Sequence, residues 1–270
     1  MSFARIYGEY VKLYIKGARE YRAAFILYQI SIPFGLLVSY ASIWIILTNF
    51  TDASGGIAGW SIPEFVLLFA INATTASFAA ILYWNTVLQL GYQIREGTVD
   101  VLLLRPMGLI KQLVCYRLGD VFLSEAVVGV GFVVAAAVKL HGQMTLFSYL
   151  FLLLTIAGAF LFQSGAMILL GSLSFWHPKS DQFAFMMYYS VRSFIQYPLS
   201  IFPVIIQVIL TCVVPYAFIN YYPCLIILHK AQTGLQTALG LISPLVGAGV
   251  FLLSLLVFRF GCKRYTGTGS

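Results

Sequence analysis

Five stretches of this sequence, 23–51, 65–94, 140–178, 193–229 and 231–258, contain no charged side chain. Each is longer than the roughly 20 helical residues needed to cross a hydrocarbon core about 30 Å thick, and few soluble folds could hide so much unbroken apolar chain. The composition agrees. Hydrophobic residues make up 60% of the chain and charged ones 9%, whereas roughly a quarter of a soluble domain is charged; the mean hydropathy is +0.90. Lipid is therefore the solvent for most of the chain. A sixth interval, from Leu118 to Val138, qualifies if Asp120 and Glu125 are accepted within it.

Six crossings put both termini on one side. Taking that side as the cytoplasm places Arg5, Lys12, Lys16, Arg19, Arg22, Arg95, Arg105, Lys111, Arg117, Lys179, Arg192, Arg259, Lys263 and Arg264 inside and leaves only Lys139 and Lys230 outside. So lopsided a partition of Lys and Arg is the positive-inside pattern of a multi-pass protein of the inner (plasma) membrane with cytoplasmic ends. The net charge of +7 thus tracks sidedness and gives no reason to invoke nucleic acid. The first 22 residues are rich in charge, and the apolar run after them is long enough to span, so it reads as a retained crossing rather than a cleaved leader.

The expected architecture is an all-α integral membrane protein with six transmembrane helices. An amphipathic helix over 1–22 leads into a domain over 23–260 with spans near 24–48, 64–90, 117–139, 146–174, 199–220 and 238–259, followed by a tail over 261–270. Arg5, Glu9, Lys12, Lys16 and Arg19 recur at helical spacing, which suits a helix lying along an anionic lipid surface. The fifth span is the least defined, because Pro198, Pro203, Pro215 and Pro223 each remove a backbone donor. Residues 183–197 read as a short helix at the inner interface, and 221–237 as an outer segment, outside the membrane or dipping back into it.

The second inner loop carries the most information. Gly97 and Thr98 supply a turn and a helix start, Asp100 falls in the first turn, and Pro106 discourages continuation past Arg105. A helix of about two turns is expected there, presenting Val101, Leu102, Leu103 and Leu104 among charges. An apolar knob so placed fits burial against a protein partner, with contact to the membrane surface as the plainer alternative.

These residues resemble a family. Arg95-Glu96-Gly97-Thr98-Val99-Asp100-Val101-Leu102-Leu103-Leu104-Arg105-Pro106 is similar to the inner loop of type 2 ATP-binding-cassette (ABC-2) exporter permeases. Ser174-Phe175-Trp176, the run Tyr197 to Pro203 and the run Pro215 to Pro223 extend the likeness over nearly the whole chain. The resemblance implies that 94–106 is a coupling helix seated in a cytoplasmic ABC ATPase, with Arg95, Glu96, Thr98, Asp100, Leu102, Leu103, Leu104 and Arg105 at the contact. It also implies that 2–22 is a connecting helix, and that a second permease, identical or related, completes a dimeric pore. ATP and Mg would then sit on the partner chain and no cofactor on this one. The sequence has no Gly-Lys dipeptide, so the phosphate-binding loop that holds a nucleotide is absent here.

Charge at membrane depth costs a few kcal/mol or more, which singles out Asp120 and Glu125. Each is read either as structural, facing the bundle interior or pairing with Arg192, or as contacting a cationic substrate or a proton. The second use defines the alternative function, a gradient-driven secondary transporter relaying protons through Asp120 or Glu125. His141, His177 and His229 are isolated, Cys115, Cys212, Cys224 and Cys262 form no Cys-x-x-Cys pair, and no nucleophile motif occurs. Neither a metal site nor catalysis is expected.

Overall fold

The computed structural model describes residues 3–20, 22–49, 59–116 and 119–265. Among them the chain forms helices and no β-strand. Helix α1 (Phe3–Glu20) is followed by α2 (Arg22–Asn49), α3 (Ile62–Arg95), α4 (Thr98–Leu103), α5 (Leu109–Tyr116) and α6 (Leu123–Lys139). Then come α7 (Leu146–Ser172), α8 (Asp181–Phe194), α9 (Val204–Val208, continued by a π-helical turn over Ile209–Val213), α10 (Tyr221–Ile227) and α11 (Gly234–Arg264).

Four stretches are long and apolar enough to cross a membrane: Arg22–Ser42, Ile62–Trp84, Leu146–Phe175 and Gly234–Arg264. Val204–Val213 and Tyr216–Ile227 make up to five if they count as one broken span; they meet at 82°. The break follows from the sequence. Pro215 has no N–H to continue the helix, and the chain closes its turn with a bond from Val214 N to Ile209 O at 2.9 Å. Pro223 breaks nothing, because it stands in the first turn of α10, where a backbone N–H has no intrahelical acceptor to lose. The expected single helix over 199–220 is thus replaced by a bent pair.

The expected third span also differs at its start. Residues 120–122 form a 3-10 turn, and α6 itself has 17 residues, about 26 Å of helix. Packing against α3 explains the delay: Gly119 N donates to Ile81 O at 2.9 Å, and a Cβ on Gly119 would stand 2.4 Å from Ala80 O. Arg117 lies outside the described residues, as does the end of the tail, 266–270.

Helix α3 is the axis of the bundle, with α6, α7 and α8 packed along it and the whole run from Glu64 to Ser77 buried. The second large seam joins α7 to α11 through close backbone approach: a Cβ on Gly247 would lie 2.0 Å from Gly158 O, and one on Gly158 2.5 Å from Pro244 Cα. Small residues let helices meet this closely without a hydrophobic driving force. Gly247→Val should therefore force α7 and α11 apart and destabilise the protein by about 3 kcal/mol. Gly249→Val, whose site is open, should be silent; thermal unfolding in detergent compares the two.

Helix α8 does not lie across the end of the bundle as an interfacial helix would. At one end Asp181 meets Arg95, in the last turn of α3. At the other, Asn220 Nδ2 donates both to Ile195 O at 2.7 Å and to Leu68 O at 3.2 Å. Between them α8 climbs the flank of α3 for about 21 Å. Tyr188 is fully buried on the way, in a cluster with Ala79, Ala80, Phe122, Met167 and Ala184.

The far end of the bundle is closed by Lys230, whose Nζ donates to Glu64 Oε2 and Gly59 O, both at 2.6 Å, and lies 5.1 Å from the centre of the Trp60 ring. Glu64 Oε2 also accepts from Ser61 N at 2.7 Å, capping α3.

Candidate functional site

Two groups of side chains stand out, one at each level where the sequence placed function. The first is the loop after α3. Gly97 has φ +69°, a left-handed conformation that costs glycine little and other residues more, and it turns the chain from α3 into α4. Helix α4 then divides by face. Val99 and Leu102 are buried in a cluster with Leu90, Ile94, Leu109, Leu113, Ile168 and Phe258, while Val101, Leu103 and Leu104 are 56%, 44% and 86% exposed. Leu102, expected on the exposed knob, is instead its root. A six-residue helix has only two faces to offer, and the 98–103 register commits one of them to the bundle.

Further bonds fix this loop. Gln112 Nε2 donates to Leu102 O at 2.7 Å and to Met107 O at 2.6 Å, tying the end of α4 and the following turn to α5. Arg95 pairs with Asp181 at 2.9 Å and donates to Pro178 O, which ties the start of the loop to the foot of α8. Glu96 and Arg105 are exposed, and Thr98 and Asp100 half-buried. Of the residues expected at the contact, Thr98, Asp100, Leu102 and Leu103 lie on α4, with Leu102 turned inward, while Arg95 and Glu96 end α3 and Leu104 and Arg105 follow α4.

The second group is at membrane depth. Glu125, in the first turn of α6, and Arg192, in the last turn of α8, form an ion pair at 2.8 Å with side chains 8% and 14% exposed. Their level is set by α3: Gly119 bonds to Ile81 and Gly129 packs on Thr74, so Glu125 lies between them, within the Ile62–Trp84 stretch. Asp120 forms part of the 3-10 turn before α6; its side chain lies outside the described residues. Nearby, Gln163 Nε2 on α7 donates to Asn72 Oδ1 on α3 at 3.2 Å. A polar layer therefore runs through the bundle, as expected where a buried charge must find partners.

The sequence reading missed Asp181, Gln112, Asn72, Gln163 and Asn220. Asn72, Gln163 and Asn220 had a usable signal, an amide inside an otherwise apolar interval. Asp181 and Gln112 had none, because their partners are 86 and 10 residues away.

With this geometry in place, the comparison with known proteins is informative. Residues 34–269 match the family described as ABC-2 family transporter protein. No curated protein and no solved structure matches the chain.

Proposed function

The chain belongs to the ABC-2 family of transporter proteins, and from that premise we propose that it is the membrane subunit of an ATP-driven exporter. On this reading a cytoplasmic ABC ATPase supplies the ATP and Mg chemistry, and two permeases, identical or related, enclose the path. The observation that carries the proposal is α4: three apolar side chains, Val101, Leu103 and Leu104, project from a helix whose other face is anchored on Leu102 and Gln112. A rigid apolar knob at the end of the longest helix fits the docking cleft of a partner. Arg95, Glu96, Thr98, Asp100 and Arg105 would form its polar rim, and α1 would rest on the inner leaflet.

The same reading restores six crossings by a different division of the chain. Helices α2, α3, α6, α7 and α11 supply five. The remaining crossing is α8 with the turn that follows it, since its ends reach opposite halves of α3. The bent pair Val204–Val213 and Tyr216–Ile227 is then a re-entrant hairpin on the outer side, pinned there by Lys230 on Glu64. Arg95, Arg105, Lys111, Lys179 and the α11 residues Arg259, Lys263 and Arg264 fall at one end, and Lys139 and Lys230 at the other. That distribution supports cytoplasmic termini in a plasma (inner) membrane. Motion follows from differential affinity: closure of the ATPases on ATP must favour one arrangement of the permeases over the other.

Affinity purification of the tagged protein in mild detergent, with an assay for ATP hydrolysis, tests the proposal. The expected result is an ATPase recovered one per permease with vanadate-sensitive turnover, accompanied by any related permease. A lone permease that moves substrate down a proton gradient in liposomes would overturn it in favour of the secondary carrier.

A further inference from the structure

The Glu125–Arg192 pair is not sealed. It forms part of the wall of a cavity of about 340 Å3 between α2, α3, α6 and α8, with Ser31, Ser39, Asn72 and Gln196 among the other polar lining. That volume lies at the lower end of small-ligand pockets, roughly 300–1,000 Å3. The pair is joined by a single bond, from Arg192 Nη2 to Glu125 Oε1, rather than by the forked contact that guanidinium and carboxylate make when they satisfy each other. Arg192 Nε is buried without a partner, and Glu125 Oε2 makes no hydrogen bond among the described residues.

The polar lining completes the pattern. The Ser31 and Ser39 hydroxyls donate to Tyr28 O and Gly35 O of their own helix, which leaves oxygen lone pairs for a cavity ligand. Asn72 spends its carbonyl oxygen on Gln163, which leaves its NH2 to donate. Acceptors and donors thus flank an ion pair whose charges cancel. A simple cation would gain Glu125 but meet Arg192 one bond length away, and a simple anion the reverse. Only a group with both signs a few ångströms apart meets the carboxylate and the guanidinium favourably at once.

We propose that this cavity binds a dipolar group, an ammonium directed to Glu125 Oε2 and the serine oxygens, and a phosphate or carboxylate directed to Arg192 and the Asn72 amide. The inference rests on the transporter reading in taking the ligand as transported cargo or as a lipid held in the path; the site itself stands on the geometry alone. A group that is only cationic is disfavoured in this cavity by the same argument.

The test uses the purified permease with its co-purifying chains in a neutral detergent and native mass spectrometry. Three probes share a twelve-carbon chain: lysophosphatidylethanolamine, dodecylamine and dodecyl phosphate. The dipolar probe should bind at least ten-fold more tightly than either of the others. The Glu125→Gln/Arg192→Gln variant, which removes both charges and keeps a polar side chain at each position, should bring that ratio to about one while remaining monodisperse. Free phosphoethanolamine separates two sources: displacement of the probe by the soluble group would assign recognition to the headgroup alone, and no displacement would assign it to an amphiphile. Equal or tighter binding of dodecylamine, an unchanged preference in the double variant, or no binding of any probe would overturn the inference. Recovery of the ATPase in the same preparation reads out the transporter proposal separately, so the two can fail independently.

Discussion

Leu104→Asp should abolish transport while leaving the protein folded and inserted. Leu104 is 86% exposed and touches no core cluster, so its loss costs the isolated permease nothing in packing. Docked on an ATPase it would be buried, and burying a leucine contributes about 1.5–3 kcal/mol; an unpaired carboxylate in the same place adds a desolvation penalty. A combined effect of about 3 kcal/mol corresponds to a roughly hundred-fold weaker complex. The measurement is the fraction of ATPase retained on the immobilised permease, alongside transport. Leu103→Asp should act in the same direction, less strongly, because Leu103 is half as exposed. Leu102→Asp is the contrasting case: it should reduce the amount of folded permease itself, because Leu102 is 3% exposed within the cluster under α4. Normal assembly and transport in both Leu103→Asp and Leu104→Asp would remove α4 from the coupling role.

The contrast between Leu102 and its neighbours also marks where sequence reading stopped. Uncharged intervals located the long helices, because the bilayer thickness leaves little freedom in where an apolar run of more than twenty residues can go. Gly97 and Pro106 bounded the loop helix for equally local reasons. Which face of that helix turns inward was not legible, since a run of Val101, Leu102, Leu103 and Leu104 has no polar gap to set the phase. The region from 181 to 227 was misread for the opposite reason. The uncharged interval 193–229 placed a crossing at 199–220 and left α8 outside it, because Asp181 and Arg192 interrupt the apolar residues there, whereas α8 runs along α3 to beside Leu68, where Asn220, 25 residues downstream, satisfies the Ile195 carbonyl. Backbone that leaves the helix at membrane depth is tolerated where protein supplies the missing bonds, and those bonds are long-range in sequence.

Arg192→Ala should destabilise the permease by about 3–5 kcal/mol, the cost of leaving a buried carboxylate without its partner. Glu125→Ala should cost a similar amount by stranding the guanidinium. If the pair is one unit, the double variant should be far less damaged than the sum of the two, with a coupling energy of about 2–3 kcal/mol in a double-mutant cycle followed by thermal unfolding in a fixed detergent. The consequence reaches function because the pair joins the first turn of α6 to the last turn of α8. Helix α8 is also tied through Asp181 to Arg95 at the base of the loop that carries α4. On the proposed exporter reading, a push delivered at α4 would have a continuous route to the cavity between α2, α3, α6 and α8: Arg95 to Asp181, the length of α8, then Arg192 to Glu125. Glu125→Gln/Arg192→Gln removes the charge at the end of that route without removing the side chains. It should leave ATPase recovery unchanged and lower transport per ATP hydrolysed. Strictly additive losses in the alanine cycle would show that the pair is two independent polar residues, and the route would end at α8.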